Sequence, residues 1–294
     1  MNSNLYQAAL LIVVSELFLV GSGMIVKQIT GQLPTEVIVF ARNVFGLALL
    51  MPWLLRSGFN SIQTSHLRLH IMRAVVGVTA MTCLYYSWGH LPLAEAAMIK
   101  QTAPFFIPIF AFFWLGEKVG IAVKVAIITG FAGVALILNP TEGGFNIAVL
   151  IALLGAMLGA LAKVIIRRMS GTESPQRVVF YFALFSSVIA FIPAVLNWVT
   201  PNYEQIGWLI LMAITSTIAQ LLLSKGYGLA PAGQLGPFTY ASVAFAVIFG
   251  WLIWDEILGL NSWFGLLLIF GAGFISLSGK RKGEGKRVAK SSQL

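Results

Sequence analysis

Long apolar runs, separated by short polar or Pro/Gly-containing stretches, recur from one end of this chain to the other. A helix that crosses the hydrocarbon core needs ~20 mostly apolar residues. On that criterion the pattern predicts ten spans, over 7–27, 35–55, 70–89, 92–115, 120–139, 145–167, 178–199, 206–225, 230–254 and 261–279. Strands of a membrane barrel would alternate apolar and polar positions over ~10 residues, and Ile107–Leu115 does not alternate. The expected fold class is an all-α membrane protein with ten transmembrane helices. The connections Gly31–Pro34, Leu91–Pro92, Pro140–Gly144, Gly171–Pro175 and Thr200–Glu204 are too short to hold a separate soluble domain.

The ten spans fall into two similar sets of five. A shift of 139 residues lays Leu84 on Leu223, Gly89 on Gly228, Pro92 on Pro231, Phe106 on Phe245, Phe110 on Phe249 and Glu117 on Glu256. Gly120 and Phe131 likewise meet Gly259 and Phe270. The expected units are 1–142 and 143–279, followed by a basic tail, 280–294. Five spans is an odd number, so the second unit enters the bilayer upside down relative to the first. Many secondary transporters build two related gates around a central site from such inverted repeats.

Composition agrees with this. The chain is 58% hydrophobic and 10% charged, with a mean hydropathy of +0.88, whereas soluble domains are roughly a quarter charged. The net charge of +9 would fit a nucleic-acid partner, but its placement points elsewhere. With the N-terminus taken as cytoplasmic, fifteen of the 19 Lys and Arg fall at cytoplasmic ends. These are Arg56, Arg68, Arg73, Lys118, Lys124, Arg167, Arg168, Arg177, Lys225 and the six between Lys280 and Lys290. Lys27 falls outside, and Arg42, Lys100 and Lys163 lie within spans. This is the positive-inside pattern, with the tail near anionic headgroups. The expected setting is the inner (cell) membrane, with multiple passes and both termini cytoplasmic. No basic region precedes the first apolar run, so that run reads as a permanent helix rather than a cleaved signal. The single cysteine, Cys83, reads as a small buried residue.

The segment Leu91-Pro92-Leu93-Ala94-Glu95-Ala96-Ala97, then Pro104, Leu115-Gly116-Glu117 and Gly130-Phe131-Ala132-Gly133, resembles the drug/metabolite transporter superfamily, and within it the EamA-type proteins. Leu229-Ala230-Pro231, Pro237, Asp255-Glu256 and Gly271-Ala272-Gly273 repeat the pattern in the second half. The resemblance covers essentially the whole chain. It implies ten helices, a cavity lined mainly by spans 1–4 and 6–9, and spans 5 and 10 outside that core. It also implies export or exchange of small metabolites. Arg42-Asn43 and Arg73 look somewhat like the branch related to organic-anion carriers.

Charges inside a span cost several kcal/mol, so each needs a reason. Glu16 lies midway along the first span, on the face carrying Gly23 and Lys27. It reads either as a carboxyl held by a cation for packing or as a site for a coupling proton or a substrate ammonium. Lys100 stands one turn before Pro104, which has no N–H to give the carbonyl of residue 100. A charge at a helix break is a recurring binding device in transporters, so Lys100 is expected to take an anionic group of the substrate. Arg42 either holds a carboxylate or phosphate in two parallel hydrogen bonds or pairs with Glu16. Lys163 reads as a snorkelling residue, and Gly155 with Gly159 as a close helix contact. Ser216, Gln220 and Ser224 share one helical face, and Thr79, Thr82 and Tyr86 a comparable one in the third span. Tyr85, Gln101, Tyr181 and Tyr240 are further lining candidates. Trp53, Trp198, Trp208 and Trp263 read as interfacial anchors, and Glu117 and Glu256 as structural hinges that need a partner against the helix dipole.

No G-x-x-x-x-G-K-[ST] loop occurs, and His66 and His70 form the only close histidine pair, so no ATPase, cofactor or metal site is expected. The expectation is a secondary transporter of a small carboxylate-bearing anion or an amino acid, not an enzyme. Its partners are the substrate, the bilayer, a coupling proton and a second copy as homodimer, with no nucleic acid. The rival is a non-transporting membrane scaffold whose interior charges serve only helix assembly.

Overall fold

The structure, a computed structural model, describes residues 3–115, 121–138, 146–169, 171–229, 235, 238–272 and 275. Among these residues it is entirely helical apart from short connections. The helices are α1 (Ser3–Ile29), α2 (Thr35–Ser57), α3 (Leu67–His90), α4 (Leu93–Lys100), α5 (Ala103–Leu115), α6 (Ile121–Leu138), α7 (Ile147–Met169), α8 (Pro175–Leu196), α9 (Tyr203–Leu229) and α10 (Ala241–Trp254). A further helix, α11, covers Leu260–Ala272. Six of the described helices (α1, α2, α3, α7, α8 and α9) are long and apolar enough to cross a membrane. Glu117, Pro231, Pro237, Gly273, the connection 140–144 and the basic tail lie outside the described residues.

Local chemistry sets the helix ends. Pro34 precedes the first turn of α2, and Gly58 closes that helix at φ 74°, where only glycine is unstrained. Ser174 accepts from the Arg177 amide at 3.3 Å, and Pro175 opens α8 behind it. The expected fourth span is two helices. Pro104 cannot donate to the carbonyl one turn back, so α4 ends at Lys100 and α5 begins at Ala103. Gln101 ties this break to the chain before α10. Its Nε2 donates to the Thr239 carbonyl at 2.9 Å and to Ser242 Oγ at 2.7 Å, and Thr239 Oγ1 donates back to Oε1 at 3.0 Å.

Packing is symmetric under exchange of the halves. The 139-residue correspondence matches α1, α2, α3 and α5 to α7, α8, α9 and α10. In the structure α1 packs on α9 as α3 packs on α7, α2 packs on α9 as α3 packs on α8, and α1 packs on α10 as α5 packs on α7. The α2–α8 contact is its own counterpart. Small residues permit the close approaches. A Cβ on Gly155 would lie 2.9 Å from Cys83 Cβ and 3.3 Å from the Ala80 carbonyl. Gly159, in contrast, has nothing within 4 Å of such an atom, so the glycine pair serves one packing contact and one opening. One on Gly133 of α6 would lie 2.7 Å from the Gly265 carbonyl of α11. Ile121, Ile128, Leu196, Leu252, Phe264 and Leu267 remain exposed, on an apolar surface that a bilayer would cover.

Candidate functional site

A central cavity of about 130 Å³, many times the ~10–15 Å³ that one water needs, opens between the two halves. Side chains from α1, α2, α3, α4, α5, α7, α8 and α9 line it. The described residues of α6, α10 and α11 contribute none. The lining residues of α3 run from Arg73 to Tyr85 and those of α7 from Ala152 to Ile166. The cavity therefore lies along the middle of both helices.

Two clusters of charge face this space. In the first, Glu16 of α1, 1% exposed, accepts a hydrogen bond and ion pair from Lys100 Nζ at the end of α4. The helix break brings Lys100 here, because α4 stops at the depth that Glu16 reaches from α1. Lys163 of α7 lines the same space within reach of the Glu16 charge. It points into the cavity and not outward, which corrects the snorkelling expectation. The ridge that carries it is lined by Gly155, Ala156, Gly159 and Ala162, which leave room for the long stem.

The second cluster surrounds Phe182 of α8. Arg42 of α2, 2% exposed, and Arg73 of α3, 5% exposed, place their guanidinium carbons 5.5 and 4.2 Å from the Phe182 ring centre. The face of an aromatic ring attracts cations, so one ring holds both. Arg42 Nε donates to Ser216 Oγ at 2.9 Å and Nη1 to Asn43 Oδ1 at 2.9 Å, while Asn43 Nδ2 donates to the Val39 carbonyl at 2.8 Å. Arg42 does not pair with Glu16. Arg73 Nη2 reaches Gln220 Oε1 at 3.4 Å, and its buried Nε and Nη1 have no hydrogen-bond partner. Sequence reasoning left Arg73 among the cytoplasmic cations. The signal that could have found it is Gly77 one turn later, the gap into which the guanidinium folds.

Of the substrate-lining candidates named in sequence, the cavity gathers Glu16, Arg42, Lys100, Ser216, Gln220 and Tyr85. The others lie outside the lining. Gln101 bridges the helix breaks, Tyr240 donates to the Ile269 carbonyl at 3.4 Å, and Tyr86 stacks on His90 at 4.0 Å between ring centres. Ser224 is buried outside the lining. Thr79 and Thr82 return their hydroxyls to the backbone of α3, at Val75 and Val78. Tyr181 donates to the Ile62 carbonyl at 2.7 Å, in a connection and not in the cavity.

Both ends of the bundle carry polar links between the halves. At one, Lys27 pairs with Glu256 at 2.5 Å and donates to the Leu91 carbonyl at 3.1 Å. Glu256 also accepts from the Leu93 amide at 2.9 Å, at the start of α4, where a helix dipole favours an anion. Its partner thus comes from the other half of the chain. At the other end the Glu173 side chain, 2% exposed, accepts from Thr64 Oγ1 at 2.5 Å and Arg177 Nη1 at 2.9 Å. His66 and His70 stand 3.7 and 3.5 Å from its oxygens. Burial pushes the Glu173 carboxyl up, but the bonds from Thr64 and Arg177 and the charges of His70 and Arg177 outweigh it and hold the group below the ordinary carboxylate value.

Helical pairs from two halves, a broken helix at the centre and charges around a central cavity define a polytopic membrane carrier. The EamA-like transporter family model matches residues 7–139 and again 146–278, and the chain belongs to that family. It is a transporter and not an enzyme. The pseudopaline exporter CntI of Pseudomonas aeruginosa is 29% identical over 262 residues, covering 88% of this chain and 91% of that protein. The riboflavin transporter of Brucella anthropi is 29% identical, covering 82% and 87%. The S-adenosylmethionine uptake transporter of Rickettsia bellii is 26% identical, covering 89% and 90%. A crystal structure with 21% identity superposes with a TM-score of 0.64 over 95% of this chain and 96% of its own, which shows the fold alone.

Proposed function

We propose that this chain is a secondary transporter which carries a small polar metabolite, a carboxylate-bearing organic anion or an amino acid, across the cell membrane by alternating access. The observation that carries the reading is the central cavity, where both halves place charged side chains against open space. Relatives named for pseudopaline, riboflavin and S-adenosylmethionine support a small-molecule cargo. The distribution of basic residues supports a cytoplasmic position for both termini and for the connections 58–66 and 171–174. The Lys27–Glu256–Leu93 link closes the outer side and must open for the cavity to face outward. Glu16 is the coupling site, taking a proton when Lys100 turns to the substrate. The halves, 1–142 and 143–279, are the bodies that rock against each other.

A scaffold would bury each polar group against a partner. Arg73 instead has two buried donors without one, beside the cavity, which favours transport. A thermal-shift screen of metabolites on the purified protein separates the readings, because a ligand for the folded state raises apparent stability as RT ln(1 + [L]/Kd). Saturable stabilisation by a few polar metabolites, lost in Arg42→Gln, is the expected result. No saturable ligand across amino acids, organic acids, nucleosides and vitamins would favour the scaffold.

A further inference from the structure

We propose that Arg42, Arg73 and Lys163 form a receptor for a polycarboxylate, an organic acid carrying two or more carboxylates, and not for a zwitterionic amino acid. This rests on the transporter reading above and chooses between its two cargo classes.

Charge decides first. Among the described residues, the charged side chains of the cavity lining are Glu16, Arg42, Arg73, Lys100 and Lys163, four cations against one acid. Glu16 is already paired with Lys100. Among the described residues, no carboxylate lies within 4.0 Å of Arg42, Arg73 or Lys163. Uncompensated charge in a low-dielectric interior is costly. A zwitterion brings as much positive as negative charge and leaves the excess in place, whereas two or three carboxylates cancel it.

Geometry decides second. Arg42 and Arg73 approach one ring, Phe182, from helices α2 and α3, although like charges repel. Arg42 is oriented by Ser216 and Asn43, and Arg73 keeps Nε and Nη1 without partners. Carboxylate oxygens of a ligand would accept from these charged donors and relieve the repulsion. Gly77 makes the arrangement possible: a Cβ there would fall 1.9 Å from Arg73 Nη1 and 2.8 Å from Phe182 Cε2. Lys163, contributed by α7 beyond the Glu16–Lys100 pair, is the ammonium for the second carboxylate.

The test uses the purified full chain in detergent and follows thermal stability against acetate, succinate, citrate, inorganic phosphate and L-alanine at constant ionic strength. Saturable stabilisation should rise from acetate through succinate to citrate, with phosphate below succinate and no effect of L-alanine. Arg73→Gln, and independently Gly77→Ala, should weaken the apparent citrate affinity by about ten-fold or more, the scale of a lost hydrogen bond to a charged group, while Arg73→Lys retains part of it. Citrate also stabilises proteins by exclusion from their surfaces, an effect that would be equal in wild type and variants. Equal citrate responses in wild type and a folded Arg73→Gln or Gly77→Ala protein overturn the assignment. If neither variant folds, the ligand order in wild type decides, and L-alanine matching or exceeding succinate overturns it. Stabilisation by amino acids alone sinks the polycarboxylate receptor and leaves the transporter reading standing, whereas a barren metabolite screen sinks the transporter reading itself.

Discussion

Glu16→Gln is expected to lower the stability of the folded protein by about 3–5 kcal/mol, the range for breaking a buried ion pair from one side. The loss comes from what stays behind. Lys100 would keep an ammonium at the centre of the bundle without its carboxylate, and Lys163 would lose the same nearby counter-charge. Lys100→Met is expected to cost a similar amount, because it strands Glu16, whose side chain is 1% exposed. The double variant Glu16→Gln/Lys100→Met removes both charges and should regain most of what the single variants lose, so the two effects do not add. Thermal unfolding of the four proteins in detergent measures this coupling. Strict additivity would show that the pair contributes nothing to the fold. The structure therefore gives Glu16 a packing role beside the coupling role proposed for it.

The second large effect is expected at Glu173, which ties the connection before α3 to the start of α8. Glu173→Gln keeps the shape but removes the charge that Thr64, Arg177, His66 and His70 surround. At neutral pH the expected loss is about 1.5–3 kcal/mol, the value of hydrogen bonds to a charged group. Because the folded carboxyl sits below its ordinary value, its contribution is fully present above the unfolded value, ~4.3. It is lost as pH falls through the folded one. Wild type and Glu173→Gln should differ in melting temperature from neutral pH down to about pH 5 and converge below that. A gap that stays constant through the acid range would show that shape, and not charge, makes the link.

Much of this architecture was legible in sequence because it rests on local rules. Apolar run length marked the spans, the 139-residue correspondence marked the halves, and Pro104 marked the break that presents Lys100. What stayed hidden depends on which faces of distant helices meet. Arg73 stands near the start of α3, where a cation ordinarily reaches the headgroups, and only its fold onto Gly77 and Phe182 turns it inward. Lys163 lies one turn before Arg167 and reads the same way along the chain. Nothing in the sequence around Phe182 distinguishes it from any lipid-facing phenylalanine. Glu256 predictably needed a partner, but Lys27 and the Leu93 amide are supplied by the other half, which helix periodicity does not encode.

Cysteine labelling at Gln220 tests the central claim, that the cavity is a transport pathway reached from both sides of the membrane. The buried native thiol is first removed by Cys83→Ala, and Gln220→Cys is then exposed to a membrane-impermeant maleimide in right-side-out and inside-out vesicles. Reaction should occur from the cytoplasmic face and, more slowly, from the outer face, with a saturating ligand from the metabolite screen slowing both. A thiol that never reacts from either face, in a protein that keeps its melting temperature, would contradict the account.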